Sequence, residues 1–388
     1  MFMLLLLIIY LSFIALGLPD SLFGTSWPII HQQFNLPLSY AGIVTITISL
    51  GTIISSLLSE RLTKKFGAGL VTTISVTMTA IALIGFSLST NLIMLILFAI
   101  PLGLGAGSVD AALNNYVALH YKAKHMSWLH CFWGIGASIS PYIMGFFLAK
   151  NEHWDLGYLI VGIIQIIISI LLFISLPLWK KSENNVITNE NNEPITYKET
   201  FKLKGLFLLL ISFLCYCAME CSFFNWTSSY LNLAKEFSVE KAALFASMFY
   251  LGMTLSRFIS GFITEKLKDK TMVRLGYLIS LSGIILLLIP TNIKIIPIIA
   301  LLLTGIGCGP IYPSLIHYAP IAFDKKYSQI IIGLQMAFAY TGSTFMPPLF
   351  GLIATHINIK LFPLFVLFFT LIGFILIEIL FHKKRQEN

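Results

Sequence analysis

The sequence predicts an all-α polytopic membrane protein, twelve transmembrane helices arranged as two parallel six-helix repeats. Three observations carry that fold class. Of 388 residues, 57% are hydrophobic and only 11% are charged, with a mean hydropathy of +0.86; soluble globular chains are about half apolar and a quarter charged. Apolar windows of about 20 residues, the length that crosses a bilayer as a helix, recur along the whole chain. The glycine and proline pattern of the first half returns in the second.

Taken in order, the first six spans cover residues 4–30, 39–59, 69–89, 92–119, 127–149 and 157–178. Span 1 opens as MFMLLLLIIYLSFIALG. It lacks the charged n-region and small-residue cleavage site of a signal peptide, so it is read as a membrane helix. Span 4 contains Pro101–Tyr121, PLGLGAGSVDAALNNYVALHY. An ionised Asp at a helix centre costs roughly 2.5–3.5 kcal/mol on insertion scales, so Asp110 is expected to face a bundle interior or an aqueous cavity. At about 100° per residue, Gly103, Gly107, Asp110 and Asn114 share one face. That face offers close packing through its glycines and polar chemistry through its acid and amide. It resembles the wall of a transport site.

A polar linker, 179–204, rich in Asn, Glu and Lys and containing Pro194, follows span 6. Spans 7–12 then cover 205–231, 240–264, 272–290, 295–318, 328–355 and 360–381. The expected organisation is an N-terminal half, 1–178, the linker, 179–204, and a C-terminal half, 205–388, ending in a short tail. No soluble domain is expected beside them.

Charge sets the orientation. On one side lie Arg61, Lys64, Lys65, Lys122, Lys124, Lys180, Lys181, Lys198, Lys202, Lys204, Lys266, Lys268, Lys270, Arg274, Lys325, Lys326, Lys383, Lys384 and Arg385. The other side has only Lys150, Lys235, Lys241, Lys294 and Lys360, and Arg257 falls inside a helix. The positive-inside rule therefore puts both termini and the linker in the cytoplasm of a multi-pass cell-membrane protein. The net charge of +8 is scattered among short loops, so no nucleic-acid partner is expected. Cys131, Cys215, Cys217, Cys221 and Cys308 all sit in apolar segments and imply no disulfide framework. Cys217 and Cys221 share a helix face but lack His partners, so they are read as small buried residues rather than metal ligands. No metal and no cofactor is expected.

The repeat is visible in three places. Gly103-Leu-Gly105-Ala-Gly107 of span 4 returns as Gly305-Ile-Gly307-Cys-Gly309 of span 10. Gly136, Pro141 and Gly145 of span 5 return as Gly342, Pro347 and Gly351 of span 11. Ser56-x3-Glu60-Arg61, read as a loop after span 2, pairs with Gly261-x3-Glu265-Lys266 after span 8. Six helices separate the copies, so both halves run the same way, as in parallel-repeat transporters.

These features resemble the major facilitator superfamily. Its loop signature, Gly-x3-Asp-Arg-x-Gly-basic-basic, is met by Ser56-Leu-Leu-Ser-Glu60-Arg61-Leu-Thr63-Lys64-Lys65, with both glycines replaced and Glu60 in place of Asp. Within the superfamily, Leu18-Pro19-Asp20 and Val109-Asp110-Ala111-Ala112-Leu113-Asn114 are similar to the fucose–galactose–glucose:proton symporter group. His130-Cys-Phe-Trp133-Gly-Ile-Gly136-Ala137 is similar to that group's fifth helix. The resemblance implies that Asp20 and Asp110 act in proton-coupled sugar uptake, beside the amide of Asn114. It also implies alternating access, in which the halves rock about a central site, and a monomer as the working unit.

The residues themselves agree in kind. Glu220 of span 7 falls where Asp20 falls in span 1, and takes either a coupling role or an ion pair with Arg257. Asp20, Asp110 and Glu220 are the proton-coupling candidates. Asn114, Asn115, Asn225 and Gln335 are candidates for binding hydroxyls, since a buried amide needs partners and both donates and accepts. Trp27, Trp133, Trp226, Tyr312 and Tyr340 are candidates for stacking on a solute, and His130 is a further binding candidate, of the residue type whose ordinary charge change lies near neutral pH. Glu60, Arg61, Lys64, Lys65, Glu265 and Lys266 are candidates for a conformational motif. Glu378, near the end of span 12, is read as structural. The Gly-x-Gly-x-Gly runs follow no strand and lie inside membrane helices, so they are packing features rather than nucleotide loops. With no P-loop, zinc-protease or nucleophile-elbow signature, an enzyme is not expected.

The expected function is import of a small polar, sugar-like solute driven by a proton gradient, with the solute, the proton and membrane lipid as partners. The alternative is a proton-coupled drug or metabolite exporter. Such antiporters often carry Gly-Pro-x-x-Gly-Gly in helix 5, where this chain reads Ser140-Pro-Tyr-Ile-Met-Gly145. The charge census makes a prediction. Single cysteines placed in the 179–204 linker should react with a membrane-impermeant maleimide only from the cytoplasmic side, and one placed near Glu152 only from outside. Labelling of both from the same side would overturn the orientation.

Overall fold

The computed structural model describes residues 2–37, 40–148, 153–184, 196–291 and 293–386. Lys150, Glu152 and linker residues 185–195 lie outside the described residues, as do the side chains of Lys180 and Lys181. The chain forms α1 (Phe2–Gly17), α2 (Leu22–Gln33), α3 (Ala41–Phe66), α4 (Ala68–Ser87), α5 (Leu92–His120), α6 (Ala123–Leu148) and α7 (Trp154–Asn184). After the linker come α8 (Tyr197–Thr200), α9 (Leu206–Lys235), α10 (Val239–Leu288), α11 (Ile295–Phe323), α12 (Ser328–Ile353) and α13 (Phe362–Gln386). A helix satisfies its own backbone groups, which is what hydrocarbon demands.

Span 1 is not one helix. It breaks at residues 18–21 between α1 and α2, where Asp20 N–H reaches Gly17 O and Leu22 N–H reaches Pro19 O. Pro19 has no N–H and its ring crowds the preceding turn, so the ladder shortens there. Spans 8 and 9 have the opposite history: they run together as α10, 50 residues long, bent at Lys268 (φ 58°, ψ 157°). Among the described residues, ten helical stretches are long and apolar enough to cross a membrane. Two of them, Leu244–Leu288 and Lys325–Gln386, are each long enough for two spans, parted at Lys268 and at 354–361. The architecture thus accommodates twelve spans.

The charged segment after span 2 is a correction. Ser56–Lys65 is no loop but the last turns of α3, and Gly261–Lys266 likewise lies inside α10. Leu57, Leu58 and Leu62 keep a helical apolar pattern, and Lys64 and Lys65 in the final turn suit the negative end of the helix dipole. The turn waits for Gly67 (φ 78°, ψ 156°).

The chain divides into two compact units, Met1–Tyr116 with Leu129–Ile195, and Val117–Trp128 with Thr196–Asn388. In the first, α4 packs on α7, and an aromatic core gathers Phe23, Trp27, Phe86, Trp154 and Tyr158. In the second, α12 and α13 pack on α9, and α10 on α11.

Both units close on the same small-residue contacts. Gly103 and Gly107 of α5 lie against the backbone of Ile48 and Thr52 in α3; Gly305 and Gly309 of α11 lie against Phe249 and Met253 in α10. Gly136 of α6 lies against Ile14 of α1, and Gly342 of α12 against Leu214 of α9. A Cβ at any of these glycines would strike a backbone carbonyl, so only hydrogen permits the approach. These contacts, and the bends at Gly67 and Lys268, align Ile48 with Phe249 and Thr52 with Met253. Glu60 then aligns with Gly261, and Glu265 with Lys64. The acid of the second half therefore sits one helical turn later than the motif spacing predicts, on the same face.

Lys268 is the strained member of the pair of bends, because its φ/ψ combination belongs essentially to glycine. Lys268→Gly should stabilise the protein by about 1 kcal/mol, the strain relieved exceeding the entropy glycine adds to the unfolded chain. Thermal unfolding in detergent would show a raised midpoint; a lowered one would mean that the bend is not strained.

Candidate functional site

The break in span 1 positions the first candidate. Asp20 is exposed in the gap between α1 and α2, and Trp133 of α6 donates its Nε1–H to Asp20 Oδ2 at 2.8 Å. Asp20 lines a cavity of about 550 Å³ within the first unit. Phe23, Trp27, Phe86 and Tyr158 form its aromatic wall, and Thr45, Ser49 and Thr79 contribute hydroxyls. Among the described residues, no Lys, Arg or His lines it. Trp27 is buried in this wall and Tyr158 Oη lies 3.1 Å from Ser26 Oγ.

Asp110 belongs to a relay of three buried groups. Asn114 Nδ2–H donates to Asp110 Oδ1 at 2.7 Å, across one turn of α5. Asn114 Oδ1 lies 3.1 Å from His130 Nε2 of α6, a contact that calls for the proton on Nε2. His130 also meets the ring of Phe13 edge-on. All three residues are 5% exposed or less. The chain acid–amide–imidazole joins two titratable groups through a side chain that donates to one and accepts from the other. Asn115 is buried next to it.

The second unit answers differently. Glu220 of α9 is buried with Arg257 of α10, Nη2 to Oε1 at 2.8 Å, and Tyr216 Oη lies 2.9 Å from the same oxygen and 3.0 Å from Cys308 O. Tyr312 packs on Phe213 and reaches Met336 Sδ with its hydroxyl. Gln335 is fully buried; its Nε2 reaches Leu315 O at 3.4 Å, and its Oε1 has no hydrogen-bond partner among the described residues. Asn225 is exposed and folds back onto Cys221 O of its own helix. Trp226 fastens α9 to α12 by donating to Pro347 O at 2.8 Å and resting on Gly351. Tyr340 is half-buried.

The motif residues form local ion pairs. Lys64 reaches Glu60 at 2.5 Å, while Glu265 meets Lys122 at 3.5 Å and Lys124 at 3.0 Å within the second unit. Arg61, Lys65 and Lys266 are exposed. Gly261 makes room for the indole of Trp128, which donates to Phe258 O.

Sequence reasoning missed Tyr158, Phe23 and Phe86, which look like any aromatic in an apolar run. It also missed Gln165 of α7, fully buried, whose Nε2 donates to Ala15 O. That one was findable: it is the lone amide in a long run of Ile and Leu, and a polar group at that depth needs a partner.

The sequence profile of the Major Facilitator Superfamily matches residues 9–320 and again 209–388. The chain belongs to the Major Facilitator Superfamily. It is a membrane transporter rather than an enzyme. Two matches overlapping in the middle fit a superfamily fold built from repeats. Among its relatives, the glucose/mannose transporter GlcP of Bacillus subtilis is 25% identical over 353 residues, covering 88% of this chain and 86% of that one. Bypass of stop codon protein 6 of Saccharomyces cerevisiae is 24% identical over 389 residues, covering 91% and 78%. The fold resembles the crystal structure of FucP in the outward conformation, with a TM-score of 0.79 at 14% identity, covering 97% of this chain and 98% of that one. It also resembles the proton:xylose symporter XylE bound to 6-bromo-6-deoxy-D-glucose, with a TM-score of 0.74 at 14% identity over 95% and 93%.

The buried Glu220–Arg257 pair is testable on its own. Removing one partner strands a charge in a dry interior, which costs about 3–5 kcal/mol, whereas an apolar replacement of both is far milder. Glu220→Leu and Arg257→Met should each sharply lower the unfolding midpoint, and the double variant should lose less than either. A double variant that loses the sum of both would show that the two side chains act independently.

Proposed function

We propose that this chain is a proton-coupled symporter that imports a small polar solute such as a sugar by alternating access. The carrying observation is Asp20: an exposed carboxylate on an aromatic-lined cavity that has no cation among its described lining residues. A carboxylate so placed serves either as a proton carrier or as an acceptor for solute hydroxyls. The aromatic wall suits the apolar face of a sugar ring, and the volume lies in the range of small-molecule sites. GlcP is named for glucose and mannose, FucP for fucose and protons, and XylE for protons and xylose; the motifs at Asp20 and Asp110 support carrying that class over to this chain.

In this scheme Asp110 holds the transported proton, and Asn114 and His130 position its carboxyl. Asp20 binds solute, with Trp133 orienting it and Trp27 providing a stacking surface. Glu220, neutralised by Arg257, is a poorer proton carrier than either aspartate. The protein works as a monomer in the cell membrane with both termini cytoplasmic.

The discriminating experiment compares uptake with counterflow in proteoliposomes. Asp110→Asn keeps the shape of the protonated acid but cannot release a proton, so gradient-driven accumulation of glucose, fucose or xylose should vanish while exchange survives. Asp20→Asn should weaken both, since the amide has half the acceptor capacity of the carboxylate. Undiminished accumulation in both variants would make these acids structural.

A further inference from the structure

Away from the cavity, α10 beyond its bend and α13 come together in the second unit through a crease that is basic at one end and apolar along its length. Arg274 of α10 grips Glu378 of α13 with two hydrogen bonds, Nε to Oε1 at 2.6 Å and Nη2 to Oε2 at 2.8 Å. This pair ties the helices together and uses up the carboxylate. Around it the positive charge is in excess. Lys270 lies one turn before Arg274, and Arg385 lies one turn beyond Phe381, the α13 ring that both of them meet. The nearby Asp269 is buried and bonded to His317 at 2.7 Å, so it presents no exposed carboxylate.

Lys270 is held in place by rings rather than by an acid, and Arg274 rests on a ring as well as on Glu378. Lys270 Nζ stands 5.4 Å from the ring of Tyr318 and 5.6 Å from that of Phe381, and Arg274 Cζ stands 5.5 Å from Phe381. Such contacts keep a charge at the surface with its stem along apolar rings, free to meet an anion.

Helical spacing continues the crease into lipid. On α10, Lys270 and Arg274 are followed one turn on by Leu278; on α13, Arg385 and Glu378 are preceded two turns back by Leu371. Leu278 is 52% exposed and Leu371 40%, and Ile375 beside it is 54% exposed. In a membrane helix these side chains meet acyl chains. One crease therefore offers a cationic head site and an apolar bed for tails.

We propose that the crease between α10 and α13 is a binding site for an anionic glycerophospholipid, its phosphate held by Lys270, Arg274 and Arg385 and its acyl chains lying along Leu278, Leu371 and Ile375. Basic pockets between membrane helices bind such head groups. The site is separate from Asp20 and Asp110, and does not depend on which solute is carried.

Native mass spectrometry of the detergent-purified protein, titrated with palmitoyl-oleoyl phosphatidylglycerol or phosphatidylcholine, tests it. The wild type should retain one phosphatidylglycerol in preference to phosphatidylcholine. Lys270→Gln with Arg385→Gln should weaken that adduct roughly thirtyfold, at about 1 kcal/mol per cation. Lys270→Arg with Arg385→Lys preserves the charge and should retain the adduct. Lys65→Gln with Lys198→Gln, which removes as much charge elsewhere, should leave it unchanged. Equal retention of phosphatidylcholine, an unweakened Gln variant, or an equal loss in the Lys65/Lys198 variant would overturn the proposal.

Discussion

Water is missing from the interior of a bilayer, so a polar group buried there depends on protein for its partners. Backbone groups meet that demand as helix, which is why the described residues fold almost wholly into helices. Hydroxyls meet it by bonding back to their own helix, as Thr52 does to Ile48 O, Ser222 to Ala218 O and Thr370 to Val366 O. Amides and acids are too strongly polar for that and reach across to neighbours, Gln165 to Ala15, Asn114 to Asp110 and His130, Glu220 to Arg257. Such bonds need helices that approach closely, and the glycines at 103, 107, 305 and 309 provide the approach.

The two units share this scaffold but spend it on different chemistry. Their glycine contacts align Ile14 with Leu214, hence Asp20 with Glu220, and Thr52 with Met253, hence Ser56 with Arg257. In the first unit the position corresponding to Arg257 is a serine whose hydroxyl stays on helix carbonyls. In the second it is an arginine that closes on Glu220. One carboxylate is left facing a cavity and the other is sealed into a salt bridge.

Much of the fold was legible because hydrocarbon acts on composition. Span lengths and the repeat glycines could be read from apolar runs and punctuation. The misreadings came where two structures satisfy the same pattern. Ser56–Lys65 is polar enough for a loop, yet its leucines also suit a helix, and the chain continued as helix to Gly67. The motif repeat was placed one turn out of register because four residues leave the acid on the same face, so spacing alone cannot tell the two alignments apart. At the site, Asp20, Asp110, Asn114, His130 and Trp133 stood out as costly residues in apolar helices. Phe23, Phe86 and Tyr158 did not, since an aromatic facing a cavity and one facing lipid are the same letter.

By itself the sequence determined the class, the span order, the parallel repeat and the acids that had to find partners, because each follows from the cost of polar groups in hydrocarbon, which is paid residue by residue. Tertiary structure decided which partner each acid took: tryptophan for Asp20, an amide relay for Asp110, arginine for Glu220. It also decided that span 1 breaks at Pro19 so that one carboxylate opens on a cavity. Those choices rest on which side chains stand across a helix contact, and that depends on residues far apart in the chain meeting at a distance no local pattern encodes.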